Sequence, residues 1–236
     1  MKILGVPIET LSRQEILARV SMFLDESKFH QIVTVNPEFL LEAEKNQGFR
    51  QVLLEADLRI ADGFGIVLAG WLQGECVHRF PGTDLMEEIL HVAEQKKLSV
   101  FLAVNKNGLS SFEETRVAIL KKYPELCIDG NEYDLRINNP SILNSQFSIF
   151  FCNFGAPAQE FFLANLKNNS GNARLAMGVG GSFDYLTGKQ KRAPKWLGSI
   201  GLEWFWRLLS QPRRFPRIWK ASVVFPFRVF FATIKK

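Results

Sequence analysis

Apolar residues in this chain come in short runs that stop abruptly at glycine, asparagine, aspartate or proline, and between the runs they recur at helical spacing. Gln31-Ile32-Val33-Thr34-Val35 ends at Asn36-Pro37, Leu58-Arg59-Ile60-Ala61 at Asp62-Gly63, and Ser99 to Val104 at Asn105-Lys106-Asn107-Gly108. Phe147 to Cys152 ends at Asn153-Phe154-Gly155-Ala156-Pro157, and Arg174 to Val179 runs into Gly180-Gly181. Such runs, bounded by turn formers, predict buried strands. Two shorter strands are predicted at Ile3 to Pro7 and at Leu126-Cys127-Ile128. The spacing of Ile16, Leu17, Val20, Phe23 and Leu24 after the polar start Thr10/Ser12 predicts a helix. Pro37 suits the first turn of another. Further helices are predicted from Phe49 to Glu55, through Ile66 to Leu72, from Thr83-Asp84 to Glu94, from Ser110 to Lys121, and around Gln159-Glu160. Strands alternating with helices imply an α/β domain, Rossmann-like, with a mostly parallel sheet and flanking helices. There is no internal repeat and no low-complexity linker.

In open α/β sheets the ligand lies beyond the carboxyl ends of the strands. That rule selects Thr34/Asn36, Asp62/Gly63, Asn105/Lys106, Asn153/Gly155 and Gly180/Gly181. Asp62 is the carboxylate that immediately ends a strong strand. It has two compatible readings, a cap on the following helix and a catalytic base. Arg79, in a loop with Gly82, and the helix starts after Pro37, Thr83 and Gly180-Gly181 offer a guanidinium and amide donors to a diphosphate. Gln159 is open to a hydrogen bond with a sugar, whereas Glu160 reads as a complement to its helix dipole.

Charge changes the picture of the last quarter. From Leu186 onward lie 12 of the 29 basic residues and one acid, Glu203, so the remaining 185 residues hold 17 bases and 23 acids. A mildly acidic body of residues 1–190 thus precedes a basic appendage of residues 191–236. In the appendage Trp196, Trp204, Phe205, Trp206, Phe215 and Trp219 are interleaved with Arg207, Arg213, Arg214, Arg217 and Lys220. Rings with basic heads match a membrane interface rich in anionic lipid. An ordinary core helix with a basic rim and a single-strand nucleic-acid binder are the competing readings, the latter without any recognisable nucleic-acid module in the body. The apolar end, Val223 to Phe231, is interrupted by Pro226 and Arg228 and is too short to cross a bilayer. The body is expected to fold without the appendage.

Several chemistries lack their signatures. Gly178-Val179-Gly180-Gly181 has neither Walker nor dinucleotide spacing, no GxSxG is present, and no Asp-x-Asp offers a site for a nucleotide-bound divalent ion. His30, His78 and His91 are isolated, so no metal is expected. Cys76, Cys127 and Cys152 are too dispersed for a disulfide framework and read as buried small hydrophobes. The amino terminus lacks a secretory signal, which predicts a cytoplasmic protein, peripheral on the inner face of the membrane.

Taken in order, Thr34-Val35-Asn36-Pro37-Glu38, Ala61-Asp62-Gly63, Gly82-Thr83-Asp84, Gly155-Ala156-Pro157-Ala158-Gln159-Glu160 and Gly178-Val179-Gly180-Gly181-Ser182-Phe183-Asp184 form a specific set. So do Lys191-Arg192-Ala193-Pro194-Lys195-Trp196, Gly201-Leu202-Glu203-Trp204 and Pro212-Arg213-Arg214. Along nearly its whole length the chain resembles the WecG/TagA/CpsF family of bacterial glycosyltransferases, glycosyltransferase family 26. The resemblance implies transfer of an N-acetylmannosamine-type sugar from a UDP-sugar to a polyprenyl-diphosphate-linked N-acetylglucosamine, in synthesis of surface polymers such as exopolysaccharide or teichoic acid. It implies an inverting reaction without a metal or other cofactor, with Asp62 as base and Thr34, Asn36, Arg79 and Gln159 lining the site. It also implies an appendage that docks on the membrane and brings Arg207, Arg214 (or its neighbour Arg213) and Arg217 to the acceptor diphosphate. A nucleotide-sugar-binding module without catalytic activity is the alternative; oligomeric state is left open, a homo-oligomer included. The chain departs from the family pattern at Ala103-Val104-Asn105-Lys106, where a glycine pair is frequent, and at Ala158, where a lysine is usual.

Overall fold

The computed structural model describes residues 1–136, 146–169, 171–194, 197, 205–206, 208 and 215–234, with the side chains of Asn169, Arg217 and Ile234 excepted. The amino-terminal segment expected as one strand is a hairpin, β1 (Lys2–Ile3) against β2 (Val6–Pro7). Leu4 (φ +47°) and Gly5 (φ +83°) turn it, the positive angles that a tight two-residue hairpin demands. A six-stranded sheet follows, of β3 (His30–Val35), β4 (Leu58–Ala61), β5 (Val100–Asn105), β6 (Ile128–Tyr133), β7 (Ile149–Cys152) and β8 (Leu175–Gly178). Their order is β4-β3-β8-β7-β5-β6, and every neighbouring pair is parallel.

The helices are α1 (Arg13–Asp25), α2 (Pro37–Ala43), α3 (Gln47–Glu55), α4 (Phe64–Trp71), α5 (Gly82–Gln95), α6 (Phe112–Lys122), α7 (Ala158–Leu166) and α8 (Ser182–Leu186). Local signals start several of them. Ser12 and Ser111 open α1 and α6 with capping boxes closed by Glu15 and Glu114. Alternation along the strands then sorts the helices into two layers. Ile32, Ile60, Leu102, Phe151 and Met177 face α1, α5 and α6, whereas Val33, Val35, Phe101, Phe150 and Ala176 face α2, α3, α4 and α7.

Strand β6 lies later than Leu126-Cys127-Ile128 and is mostly polar, Ile128-Asp129-Gly130-Asn131-Glu132-Tyr133. It is an edge strand, and the ladder to β5 rather than intrinsic preference holds it. Gly130 is required there because a Cβ would meet Leu102 O and Phe112. Two of the three cysteines, Cys76 and Cys127, are exposed, and only Cys152 is buried, which corrects the expectation for the first two.

At the carboxyl end, helix Phe215–Trp219 continues through a π-helical turn, Lys220–Val224, into helix Phe225–Ile234. Phe225 (0% exposed) and Val229 (2%) enter the core beside Val35, Phe39 and Ile66. The last helix packs on α4 and α2, so the tail end contributes two side chains to the body's core. Phe227, Phe230 and Phe231 on the same helix stay exposed. No helix among the described residues is long and apolar enough to cross a membrane.

Candidate active site

A cleft of about 430 Å³ lies over the carboxyl edge of the sheet, and residues following β3, β4, β5, β7 and β8 all line it. Because the strands are parallel, each ends at this edge, and the helix that follows starts here with its unpaired amides.

Thr34 is 7% exposed and lies against Gly82; a Cβ on Gly82 would stand 3.1 Å from Thr34 Oγ1. Glycine at the start of α5 therefore lets that helix end close on β3. Asn36 caps α2, its Oδ1 accepting from the amides of Glu38 (2.9 Å) and Phe39 (3.2 Å). What remains of Asn36 for a ligand is its NH2 group.

Asp62 caps a helix, but not the one that follows it. The residue before α4 is Gly63, without a side-chain cap. Instead Asp62 Oδ1 accepts from Gly82 N–H at 3.1 Å, so the carboxylate sits at the first turn of α5, where a helix end favours negative charge. Arg79 holds the same strand end from behind. Its Nε donates to Asp62 O at 2.6 Å, and Phe80 N–H donates to Ala61 O at 2.9 Å. Arg79 is not among the residues lining the cleft.

Gly180 (φ +49°) and Gly181 line the cleft between β8 and α8. Gln159 reaches the same wall, and its Oε1 accepts from Gly155 N–H (3.0 Å) and Gly180 N–H (3.2 Å). Glu160, read from the sequence as a complement to its helix dipole, is 2% exposed, and burial pushes its carboxyl up to about 8. Asn153 Oδ1 accepts from Asn105 N–H at 2.6 Å and ties the ends of β7 and β5 together. The hydroxyls of Thr83 and Ser182 lie 2.9 Å apart and join the starts of α5 and α8.

Thr34, Asn36, Asp62, Gln159, Gly180 and Gly181 thus share one cleft, although they come from distant parts of the chain. Asp184 and Arg192 line it as well, and neither is on the strand-end list. Asp184 Oδ1 accepts from Ser110 Oγ at 2.8 Å, and Arg192 pairs with Asp84. A rule confined to strand ends passes over Asp184 because it lies inside α8; its place in the Gly-Gly-Ser-Phe-Asp run was the available signal. Ile218, buried in helix Phe215–Trp219, brings the carboxyl-terminal segment to the cleft. Arg207 and Arg214 lie outside the described residues, as does the side chain of Arg217. Among the described residues no three His, Cys, Asp or Glu side chains gather as a metal ion would require.

The chain is 36% identical over 202 residues to an N-acetylglucosaminyldiphosphoundecaprenol N-acetyl-beta-D-mannosaminyltransferase of Bacillus spizizenii, covering 83% of this chain and 77% of the relative. A protein of the same name from Bacillus subtilis is 32% identical over 201 residues, with the same coverage. One from Staphylococcus aureus is 28% identical over 237 residues, covering 96% of this chain and 91% of the relative. The model of the glycosyl transferase WecG/TagA/CpsF family matches residues 1–236, and the chain belongs to that family of glycosyltransferases.

Proposed function

We propose that the protein transfers an N-acetylmannosamine-type sugar from a UDP-sugar to an N-acetylglucosamine carried on a polyprenyl diphosphate, with inversion and without a metal. The observation that carries this reading is the position of Asp62, a carboxylate at the carboxyl end of β4 that lines the cleft at the start of α5. In the proposed step the acceptor hydroxyl oxygen attacks the anomeric carbon of the donor, and its proton passes to Asp62. The bond from that carbon to the UDP oxygen breaks, and UDP departs with the electron pair. A positioned base contributes about 10²–10⁴-fold to such a step. Charge developing on the diphosphate is met by the amides of Thr83 and Asp84 at the start of α5, by Arg192 and by the tail arginines, Arg207, Arg214 and Arg217. Ile218 in the cleft supports the last group, since it adjoins Arg217. Thr34, Asn36 and the glycine pair Gly180-Gly181 bind the donor, and Arg79 braces the strand that carries the base.

The acceptor's lipid requires a membrane at the mouth of the site. Helix α4 and the packed carboxyl-terminal helix expose Trp71 (58%), Leu72, Phe227 (61%), Phe230 and Phe231, with Lys220 and Arg228 also exposed. Apolar rings beside cations suit an interfacial surface, in keeping with a peripheral protein on the cytoplasmic face. The test is UDP release from a UDP-sugar, measured with and without a short lipid-diphosphate acceptor and with and without a chelator. Acceptor-dependent release that survives chelation and falls at least about a hundredfold in Asp62→Asn is expected. Near-normal turnover of folded Asp62→Asn would remove Asp62 as the base.

A further inference from the structure

The loops after β7 and β8 form one wall of the cleft, and each turns at a glycine in the left-handed region, Gly155 at φ +78° and Gly180 at φ +49°. Past the last bond between them, Val179 N–H to Cys152 O at 2.8 Å, the side chain of Gln159 joins the two loops. A single oxygen, Oε1, accepts from both glycine amides, at 3.0 and 3.2 Å. This requires the amide oxygen to face the loops and the NH2 to face away.

A primary amide is nearly symmetric in shape, so its orientation is decided by what the NH2 meets. Here Nε2 donates to Glu160 Oε1 at 2.7 Å. Glu160 is anchored in turn, its backbone oxygen accepting from Gln31 Nε2 of β3 at 3.2 Å. The pair fits because β8 ends in glycine: a Cβ on Gly178 would run into Gln159 Nε2 and stand 2.7 Å from Glu160 Oε1. A favourable helix-end charge is a small, surface effect and does not account for an acid that is 2% exposed. Burial pushes the carboxyl toward its neutral form, and Oε1 accepts in either form.

We propose that Glu160 is a positioning residue for sugar transfer: it fixes the amide of Gln159 in the orientation that staples the Gly155 and Gly180 turns, and so sets the shape of the donor end of the cleft. This rests on the transferase reading above. Substrate contact by Glu160 is not needed.

The test compares Glu160→Leu, which removes the acceptor, with Glu160→Gln, which keeps an oxygen there. Amide hydrogen exchange is read at residues 153–156 and 179–181 against the β3 amides, without substrate. In Glu160→Leu the two turns should exchange about tenfold faster relative to β3, and KM for the UDP-sugar should rise about tenfold with little change in kcat, as expected for loss of one buried neutral hydrogen bond. Glu160→Gln should restore both. Gln159→Met should loosen the same turns, and the double variant should be no worse than either single one, because both break one interaction. Unchanged exchange at both turns in Glu160→Leu, or additive effects in the double variant, would overturn the proposal. Should Glu160→Leu fail to fold, Gln159→Met carries the test, and tight turns there would overturn it. A wild-type protein lacking transferase activity would sink the reaction reading alone, since exchange is measured without turnover.

Discussion

Glu160 makes a stability prediction independent of catalysis. Its carboxyl is pushed by burial from the ordinary 4.5 up to about 8, with the hydrogen bond from Gln159 opposing the shift. Between those values the unfolded chain has released this proton and the folded chain still holds it, so the folded state binds more protons and stability falls as pH rises. The contribution is fully present below about pH 4.5 and gone above about pH 8. Each pH unit in the window weakens the folding equilibrium tenfold, on the order of 5 kcal/mol in all, comparable to the whole stability of a modest domain. Glu160→Gln supplies a neutral side chain of nearly the same shape at every pH. Urea unfolding of both proteins, followed by tryptophan fluorescence from pH 5 to 9, should give midpoints that are close at pH 5 and separate steadily, the variant becoming the more stable. Every other titrating group is common to both, so the difference between the curves reports Glu160. Curves that run parallel across the window would refute a neutral buried acid.

Two further predictions separate roles that overlap in the fold. Phe225→Ala should destabilise by about 3–5 kcal/mol in equilibrium unfolding, whereas Phe227→Ala, on the exposed side of the same helix, should stay within about 0.5 kcal/mol and instead weaken sedimentation with anionic vesicles. Asp62→Ala should cost about 1 kcal/mol of stability through the lost cap on α5, while Asp62→Asn retains an acceptor oxygen and keeps most of that stability; loss of turnover in both would assign the catalytic effect to the charge rather than the cap.

Much of the site was legible because parallel strands have a direction. Once Asn36, Asp62 and Gly180 are recognised as residues just beyond buried runs, the topology requires them to meet at one edge, whatever their separation in sequence. Local chemistry was legible in places: Ser12 caps the helix it precedes, and Pro37 begins one. Strand β6 was not, since Asp129 to Tyr133 carries little strand preference and is ordered by a neighbour distant in the chain. Nor was the division of labour in the tail, where hydropathy alone cannot tell a ring buried against α4 from one left exposed two residues later.

The sequence by itself therefore determined the alternation of strands and helices, the family, and the set of residues at the carboxyl edge, because these follow from local pattern and chain direction. Only the tertiary structure decided what each polar group is bonded to. Asp62 caps α5 rather than α4, Gln159 spends its amide on two turns, Glu160 is withdrawn from water, and Phe225 closes the core. Each depends on which distant backbone comes within hydrogen-bonding or packing distance, and that is fixed by how the layers close rather than by any stretch of the chain.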